Sequence, residues 1–530
     1  MVFAEDEAAI LYGAQRFLES GRLDIGNSLN EAYNTNVVGN PFTAYRTAGD
    51  FYHRVSPGTV LLFAPFVAFG DEGFYLTGPL FGALATAAVF FLALRVSGSY
   101  AGASAASAAW ITAPAFTHWG SNYFNNVPVL SIELWALVFL AGERPTVRRA
   151  AAGGALMGLA VFVRPQDALL LPLVFAFVAV RTRALGPIAA YLAPAAAFVA
   201  LVALTNQLFY GSASFLPAIG PLYLPLPGGG GGAIGGGVPG VAGGGGSGPA
   251  LGGVSAFERY VLHLLGTQTY GDFSLSDKID SWWYHLKYLA GSSFALPLLL
   301  PGIAGMALGI ARRDWRAIQI AVLLAIFVLF VVGLYGNQEG NYFGYGQNIV
   351  RSSFVRYSLP IYALAAVGVA CGWAVVQRIA TQHGRAGAAQ VVLALIVAGG
   401  CVVGVRVSYD AKYYGFDRSN LYREDGVRHR TFIDRVIETG LKEHERVLVL
   451  AGPRTSKLVD LSKHPDTIDY DHVPAVYWDR AIAPAIRGAQ DDGIPVSMAP
   501  LILDQSNQPF IDWLEKRFKR QGLLIYPPDP

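Results

Sequence analysis

An acidic triplet, Glu5-Asp6-Glu7, precedes a long series of apolar segments. Carboxylates near a bilayer are costly and are seldom kept there without a task. The stretch from Glu5 to Leu18 has apolar residues at helical spacing, which predicts an amphipathic helix at the membrane surface. Asp6 and Glu7 are candidates for chemistry there, and their oxygens suit a possible divalent cation, although no further carboxylate partner is evident. Alternatively, the two acids only complement the dipole of that helix.

A second polar cluster, His53 and Arg54, lies in the segment from Asp50 to Gly58. A cation at the membrane surface beside carboxylates suits an anionic headgroup, although interfacial snorkelling of the side chain explains it equally well. Ser56 followed by Pro57 predicts the capped start of a short helix.

Three further arginines lie at the ends of apolar segments. Arg164 and Asp167 stand at a tight turn, where they form either a plain ion pair or a site for a phosphate, which arginine binds in a bidentate manner. Arg351 and Arg356 flank the start of another apolar run and leave the same alternatives open. With Arg54 they predict a basic constellation on one face of the membrane.

The composition is that of an integral membrane protein. Of 530 residues, 53% are hydrophobic and 14% charged, whereas soluble chains carry about 25% charge. The net charge of +2 and the lack of a polybasic arm argue against nucleic acid as a partner. Apolar runs predict about ten spans. These are 74–95, 101–119, 127–141, 149–163, 167–181, 186–209, 291–311, 316–335, 356–378 and 388–408.

Basic residues concentrate in alternate connections, which the positive-inside rule assigns to the cytoplasm. We therefore expect a multi-pass protein of the cell (plasma) membrane with spans in 74–209 and 291–408. Residues 1–73, with the acidic motif and juxtamembrane helices, and the loop 210–290 are then extracytoplasmic. Glycine dominates 228–253, which predicts a flexible loop, either a tolerated insertion or a mobile lid.

The last segment, 409–530, has a different pattern, in which strands and helices alternate. This alternation predicts a small extracytoplasmic α/β domain with a parallel sheet. Its predicted elements are the strands Arg446–Gly452, Ile494–Met498 and Leu523–Tyr526 and the helices Ala481–Gln490 and Gln508–Gln521. No phosphate-binding glycine motif follows the first strand, so a structural or acceptor-recognising role is favoured over catalysis.

Five local patterns, taken in order, resemble the GT-C superfamily of polytopic glycosyltransferases, in particular prokaryotic relatives of protein O-mannosyltransferases and lipid A aminoarabinose transferases. The patterns are Asp6 to Tyr12 with Gly21 to Asp24, Tyr52 to Pro65, Gly153 to Pro165, Asn206 to Ser212, and Arg356 to Pro360. The resemblance implies a mostly α-helical transmembrane bundle. Family members have a transmembrane helix before the acidic motif, and we expect this first family helix to be missing from the sequence.

The resemblance also implies a reaction. A sugar on a polyprenyl phosphate enters from the bilayer, Asp6 deprotonates the acceptor hydroxyl, and the attack inverts the anomeric centre. The candidates that stabilise the departing phosphate are Arg54, Arg164 and Arg356, with Arg351 beside them. Glu7 has a positioning role and does not itself react. The acceptor is a glycan, a lipid or a protein, and His53 is a candidate for positioning it. Membrane lipids surround the chain.

One position departs from the family pattern. Where members often carry an acid in the second external loop, this chain has Asn125 and Asn126, which are able to orient an acceptor or a metal ligand but not to act as a base.

Two other functions remain open. A transporter or flippase of a lipid-linked or anionic substrate predicts ionisable residues near span midpoints, and the span interiors contain almost no charge. The other alternative is a non-catalytic scaffold whose α/β domain binds a partner.

Overall fold

The computed structural model is mainly helical. It describes residues 5–23, 46–47, 50–51, 56–120, 124–210, 283, 286, 296–335, 353–408, 448–451, 467–469, 478–498, 508–518 and 523–525. The chain divides into two compact units. One comprises 1–74, 201–238 and 417–530, and the other comprises 75–200 and 239–416.

Apolar helices make up the described part of the second unit. The helices of both units are numbered together in chain order, and α1 and α2 belong to the first unit. They are α1 (Glu5–Ser20), α2 (Pro57–Val67), α3 (Asp71–Ser97), α4 (Tyr100–Ile111), α5 (Pro114–Trp119), α6 (Asn126–Leu140), α7 (Val147–Val163), α8 (Leu170–Thr182) and α9 (Leu185–Tyr210). They continue with α10 (Leu296–Ala311), α11 (Trp315–Tyr335), α12 (Ser353–Tyr357), α13 (Leu359–Gln382) and α14 (Ala386–Ser408). A 3₁₀ turn, Pro165–Leu169, joins α7 to α8.

Helices lie at all ten positions where spans were predicted, but only six described helices are long and apolar enough to cross a bilayer. These six are Glu72–Ser97, Pro165–Thr182, Leu185–Phe209, Trp315–Val332, Leu359–Gln382 and Ala386–Ser408. The predicted span 101–119 is two helices, α4 and α5, because Pro114 cannot continue the backbone hydrogen bonds of the first. The chain is a multi-pass membrane protein, and the total of ten spans stays a prediction.

Glycines allow the closest helix contacts of the second unit. A Cβ added to Gly302 would lie 2.2 Å from the carbonyl oxygen of Ala365, and one added to Gly305 would lie 2.2 Å from that of Gly368. The backbones of α10 and α13 therefore touch directly. This is the small-residue packing that drives helix association where lipid is as apolar as the side chains.

The segment from Gly153 to Pro165 uses the same device on α7. A Cβ at Gly154 would lie 2.1 Å from the carbonyl oxygen of Tyr191, and one at Gly158 would lie 3.0 Å from the Cα of Ala195. The glycines of this segment therefore bring α7 against α9.

Polar groups anchor the carboxyl end of α6. The Arg181 guanidinium, 7% exposed, donates to the carbonyl oxygens of Leu140, Gly142 (2.9 Å) and Glu143 (2.7 Å). Gln319 of α11 exchanges two hydrogen bonds with the backbone of Gly142, at 3.0 and 3.1 Å. Cations and donors here satisfy carbonyls that the helix itself leaves without partners.

The first unit contains α1 and α2. Helix α1 spans Glu5–Ser20, so the predicted helix is present, and its position at the membrane surface stays a prediction. Helix α2 begins as predicted, because Pro57 stands at its first position and the Ser56 side chain accepts from the Thr59 N–H at 3.3 Å. A short antiparallel pair, β1 (Arg46–Thr47) and β2 (Asp50–Phe51), precedes it.

The C-terminal part of that unit contains a parallel sheet of four strands in the order β4-β3-β5-β6. The strands are β3 (Leu448–Ala451), β4 (Thr467–Asp469), β5 (Val496–Met498) and β6 (Leu523–Ile525), with helices α15 (Trp478–Asp491) and α16 (Gln508–Phe518). Apolar residues of both helices and of β3 and β5 form one core. These elements lie where the sequence predicts them, except β4, which the sequence analysis missed. An extracytoplasmic position for this segment stays a prediction.

Candidate functional site

The acidic residues Asp6 and Glu7 lie in the first turn of α1. The apolar side of this helix is packed: Ile10 and Ala14 are buried, and the Phe17 ring meets Phe209 edge to face with centroids 6.1 Å apart. The two acids therefore stand at the start of an anchored helix. Their side chains lie outside the described part of the chain.

Three of the predicted site residues, His53, Arg54 and Arg351, fall outside the described residues, as does the glycine-rich segment 228–253. The described chain resumes at Ser56, whose side chain accepts a hydrogen bond from the backbone N–H of Thr59.

Arg356 lies at the end of the short helix α12, among aromatic rings. Its guanidinium carbon is 4.4 Å from the ring centroid of Phe124, 4.9 Å from that of Tyr357 and 5.9 Å from that of Trp119. The Nη2 group donates to the Tyr357 hydroxyl at 2.9 Å. Aromatic faces attract a cation and replace part of its hydration. This half-buried arginine is thereby held in one place.

The amino end of α6 lies beside these rings in sequence, because Phe124 directly precedes Asn125 and Asn126. Asn125 is the N-cap residue, although its side chain accepts no capping hydrogen bond. Asn126 is 5% exposed, and its Nδ2 group has no hydrogen-bond partner among the described residues. A buried amide donor without a partner is costly, and positions that keep one need an explanation.

Arg164 and Asp167 form a buried ion pair at the turn between α7 and α8. The Arg164 Nε donates to both carboxylate oxygens of Asp167 at 2.8 Å, and its Nη2 lies 2.7 Å from Oδ1. Arg164 is 7% exposed and Asp167 is fully buried. Of the two alternatives that the sequence leaves open here, the ion pair is therefore present, and it occupies one edge of the guanidinium.

Glu133, which the sequence analysis did not single out, joins this pair. It lies inside the predicted span 127–141, in a sequence where span interiors were expected to hold almost no charge. Its carboxyl is fully buried and lies close to that of Asp167. A single glutamate within an apolar run was the signal available, because such residues usually mark function.

The described residues give the candidate site two groups in the second unit. One is Arg356 with its aromatic rings, next in sequence to Asn125 and Asn126, and the other is Arg164 with Asp167 and Glu133. Asp6 and Glu7 belong to the first unit. Within the described ranges, no three histidine, cysteine, aspartate or glutamate residues lie together as metal ligands.

Solved structures show which fold this is. No protein-family model matches the chain, and no curated protein is significantly similar to it in sequence. ArnT from Cupriavidus metallidurans in the apo state has a TM-score of 0.50 at 14% identity, covering 96% of this chain and 90% of that chain. ArnT bound to undecaprenyl phosphate gives 0.48 at 14% identity over 93% and 85% of the two chains.

The apo oligosaccharyltransferase of Archaeoglobus fulgidus gives a TM-score of 0.45 at 14% identity, over 93% of this chain and 65% of that chain. The apo ArnT structure matches along nearly the whole length of both chains, so the two share an architecture. The chain therefore has the mostly helical, polytopic fold that is seen in ArnT.

Proposed function

We propose that the protein is a membrane glycosyltransferase that moves a sugar from a polyprenyl-phosphate donor to an acceptor hydroxyl on the extracytoplasmic face. The observation that carries the proposal is the fold shared with ArnT over 96% of the chain. ArnT has been crystallised with undecaprenyl phosphate, and that protein's ligand is the donor carrier we propose here. The acidic motif at the start of an anchored helix supports the same reading.

In this reaction Asp6 is the general base. It takes the proton from the acceptor hydroxyl while the oxygen attacks the anomeric carbon from the side opposite the phosphate. The bond between that carbon and the phosphate oxygen breaks, its electron pair leaves with the polyprenyl phosphate, and the configuration inverts. A positioned base is worth about 10²–10⁴ in rate. Glu7 positions the acceptor or Asp6 itself.

Negative charge gathers on the departing phosphate, so fixed cations stabilise the transition state. Arg356 is supported for this role by the three rings that hold it and lower the cost of its burial. Arg164 is the second proposed cation, held in place by its ion pair with Asp167. Arg54 and Arg351 complete the proposed set of cations.

The acceptor is proposed to approach the amino end of α6. Support comes from Asn126, whose buried Nδ2 group bonds to no group in the described part of the chain and has a hydrogen bond to give to a substrate oxygen. Asn125 and His53 are proposed to orient the acceptor with it. A divalent cation at Asp6 and Glu7 remains part of the proposal, to be tested by adding a chelator.

The test is transfer from a panel of radiolabelled polyprenyl-phosphate sugars by membranes that contain the protein. Asp6→Asn is compared with Glu19→Gln, which makes the same change from carboxylate to amide at an exposed site near the other end of α1. Folded protein is matched by fluorescence-detected size exclusion. We expect transfer by the wild type and by Glu19→Gln, and a loss of about 10²-fold or more in Asp6→Asn.

The outcomes separate the parts of the proposal. Equal transfer by Asp6→Asn would exclude Asp6 as the base but leave the transferase standing. No transfer from any donor, combined with movement of labelled lipid between the leaflets of proteoliposomes, would favour a flippase. One observation fits that alternative, because Glu133 lies inside a predicted span, but its carboxyl faces Asp167 and is shielded from solvent.

A further inference from the structure

The buried cluster Glu133, Asp167 and Arg164 contains one cation and two carboxyl groups. All three side chains are at least nine-tenths buried. If both acids were ionised, the cluster would carry an uncompensated negative charge inside the helical bundle. An isolated buried charge costs far more than a hydrogen bond returns, so such a state is avoided in folded proteins.

The contacts decide which acid is ionised. Asp167 accepts the three short contacts from Arg164 described above, and these are the contacts of a carboxylate with a guanidinium. Within the described ranges, Glu133 receives no N–H or O–H donor at either oxygen. The Asp167 carboxylate, which is itself an acceptor, lies beside it. Two carboxyl groups bond to each other only if one of them carries a proton.

We propose that Glu133 is a carboxylic acid that donates its O–H to Asp167 and so positions Arg164. The cluster is then neutral, with Arg164 and Asp167 balancing each other and Glu133 supplying a hydrogen bond without a charge.

The consequence for a phosphate substrate is electrostatic. An ionised Glu133 would leave the cluster negative and would repel a phosphate near Arg164. The proton of Glu133 removes that repulsion, while its hydrogen bond prevents the Asp167 carboxylate from turning away from the guanidinium. Glu133 therefore acts through Asp167 and Arg164, two elements away from its own helix. The effect on a phosphate substrate rests on the proposed function, whereas the protonation of Glu133 does not.

The proton itself is measured without any substrate. In infrared spectra of the purified protein at neutral pH, a buried carboxylic acid gives a C=O stretch that is separate from the bands of carboxylates and amides. We expect this band in the wild type and in Glu19→Gln, and we expect its loss in Glu133→Gln. A wild-type spectrum without the band overturns the proposal, and so does a band that survives in Glu133→Gln.

The positioning role is measured by transfer kinetics, with two neutral variants of similar volume. Glu133→Gln keeps a donor for Asp167, whereas Glu133→Met does not. We expect Glu133→Gln to keep the KM for the lipid-phosphate donor, and Glu133→Met to raise it roughly tenfold, as the loss of one hydrogen bond to a charged group does. Equal KM values in the two folded variants would overturn the positioning role.

The two experiments fail independently of the proposed function. If no sugar is transferred by the wild type, the glycosyltransferase proposal fails, while the infrared band still decides whether Glu133 carries the proton. If transfer is normal and the band is missing, only the inference on Glu133 fails.

Discussion

The contact between α10 and α13 gives a prediction whose sign is set by geometry. In Gly305→Ala the new Cβ would lie 2.2 Å from the carbonyl oxygen of Gly368 and 3.0 Å from the backbone nitrogen of Gly372. A carbon and a carbonyl oxygen approach to about 3.3 Å, so one helix must move by about 1 Å. Backbone atoms block the methyl group, so no side chain is able to relieve it by changing its rotamer.

Overpacking of this kind costs about 1–3 kcal/mol. The matched control is Gly399→Ala in α14, where an added Cβ meets nothing within 4 Å. Both variants exchange glycine for alanine inside an apolar helix, so the gain in helix propensity, at most about 1 kcal/mol, is common to both and cancels in their difference.

The assay is thermal unfolding in detergent, followed by tryptophan fluorescence, with monodispersity checked before heating. We expect Gly305→Ala to unfold on the order of 2–6 °C below Gly399→Ala. Equal midpoints would show that the two backbones do not touch. A higher midpoint for Gly305→Ala would refute the packing of α10 against α13 as described.

Three further outcomes are expected. Arg181→Met leaves carbonyls at the end of α6 without donors and should lower the free energy of unfolding by about 2–4 kcal/mol. Arg148→Met, at an exposed site, should leave the unfolding midpoint unchanged, and equal midpoints for the two variants would contradict the anchoring role. Arg356→Lys keeps the charge but not the planar group that lies against the rings, so the donor KM in the transfer assay should rise about tenfold, and an unchanged KM would exclude this arginine from phosphate binding. Asn126→Ala removes an amide donor that bonds to no described protein group, so transfer should fall while the free energy of unfolding stays within about 1 kcal/mol or rises. A large loss of stability would contradict that reading.

Much of the fold follows from patterns that the sequence carries locally. Hydrophobic runs predict where the membrane helices lie, and Ser56 with Pro57 predicts the start of α2, because caps depend on neighbouring residues only. Most strands of the parallel sheet were also found in this way. Strand β4 was not, because three residues, Thr467–Asp469, show no recognisable alternation.

The candidate site was less predictable, since its contacts join residues distant in the chain. The Arg164–Asp167 pair spans three residues and could be offered as an alternative from the sequence. The contact of Glu133 with Asp167 depends on how α6 packs against α7, and two of the three rings around Arg356, Trp119 and Phe124, lie more than 200 residues away in the chain. Neither arrangement has a local signal. The roles of Asp6, Arg54 and Arg351 remain predictions.

The acid within α6 also bears on how the protein is made. This helix has 15 residues, and an acidic residue at the centre of an inserting helix opposes its transfer into lipid by about 3 kcal/mol. The partners that offset this cost, Arg164 and Asp167, are synthesised only after α7. Helix α6 is therefore expected to stay beside the insertion machinery until the turn after α7 has emerged, so that α6, α7 and α8 enter the bilayer as one group rather than one by one.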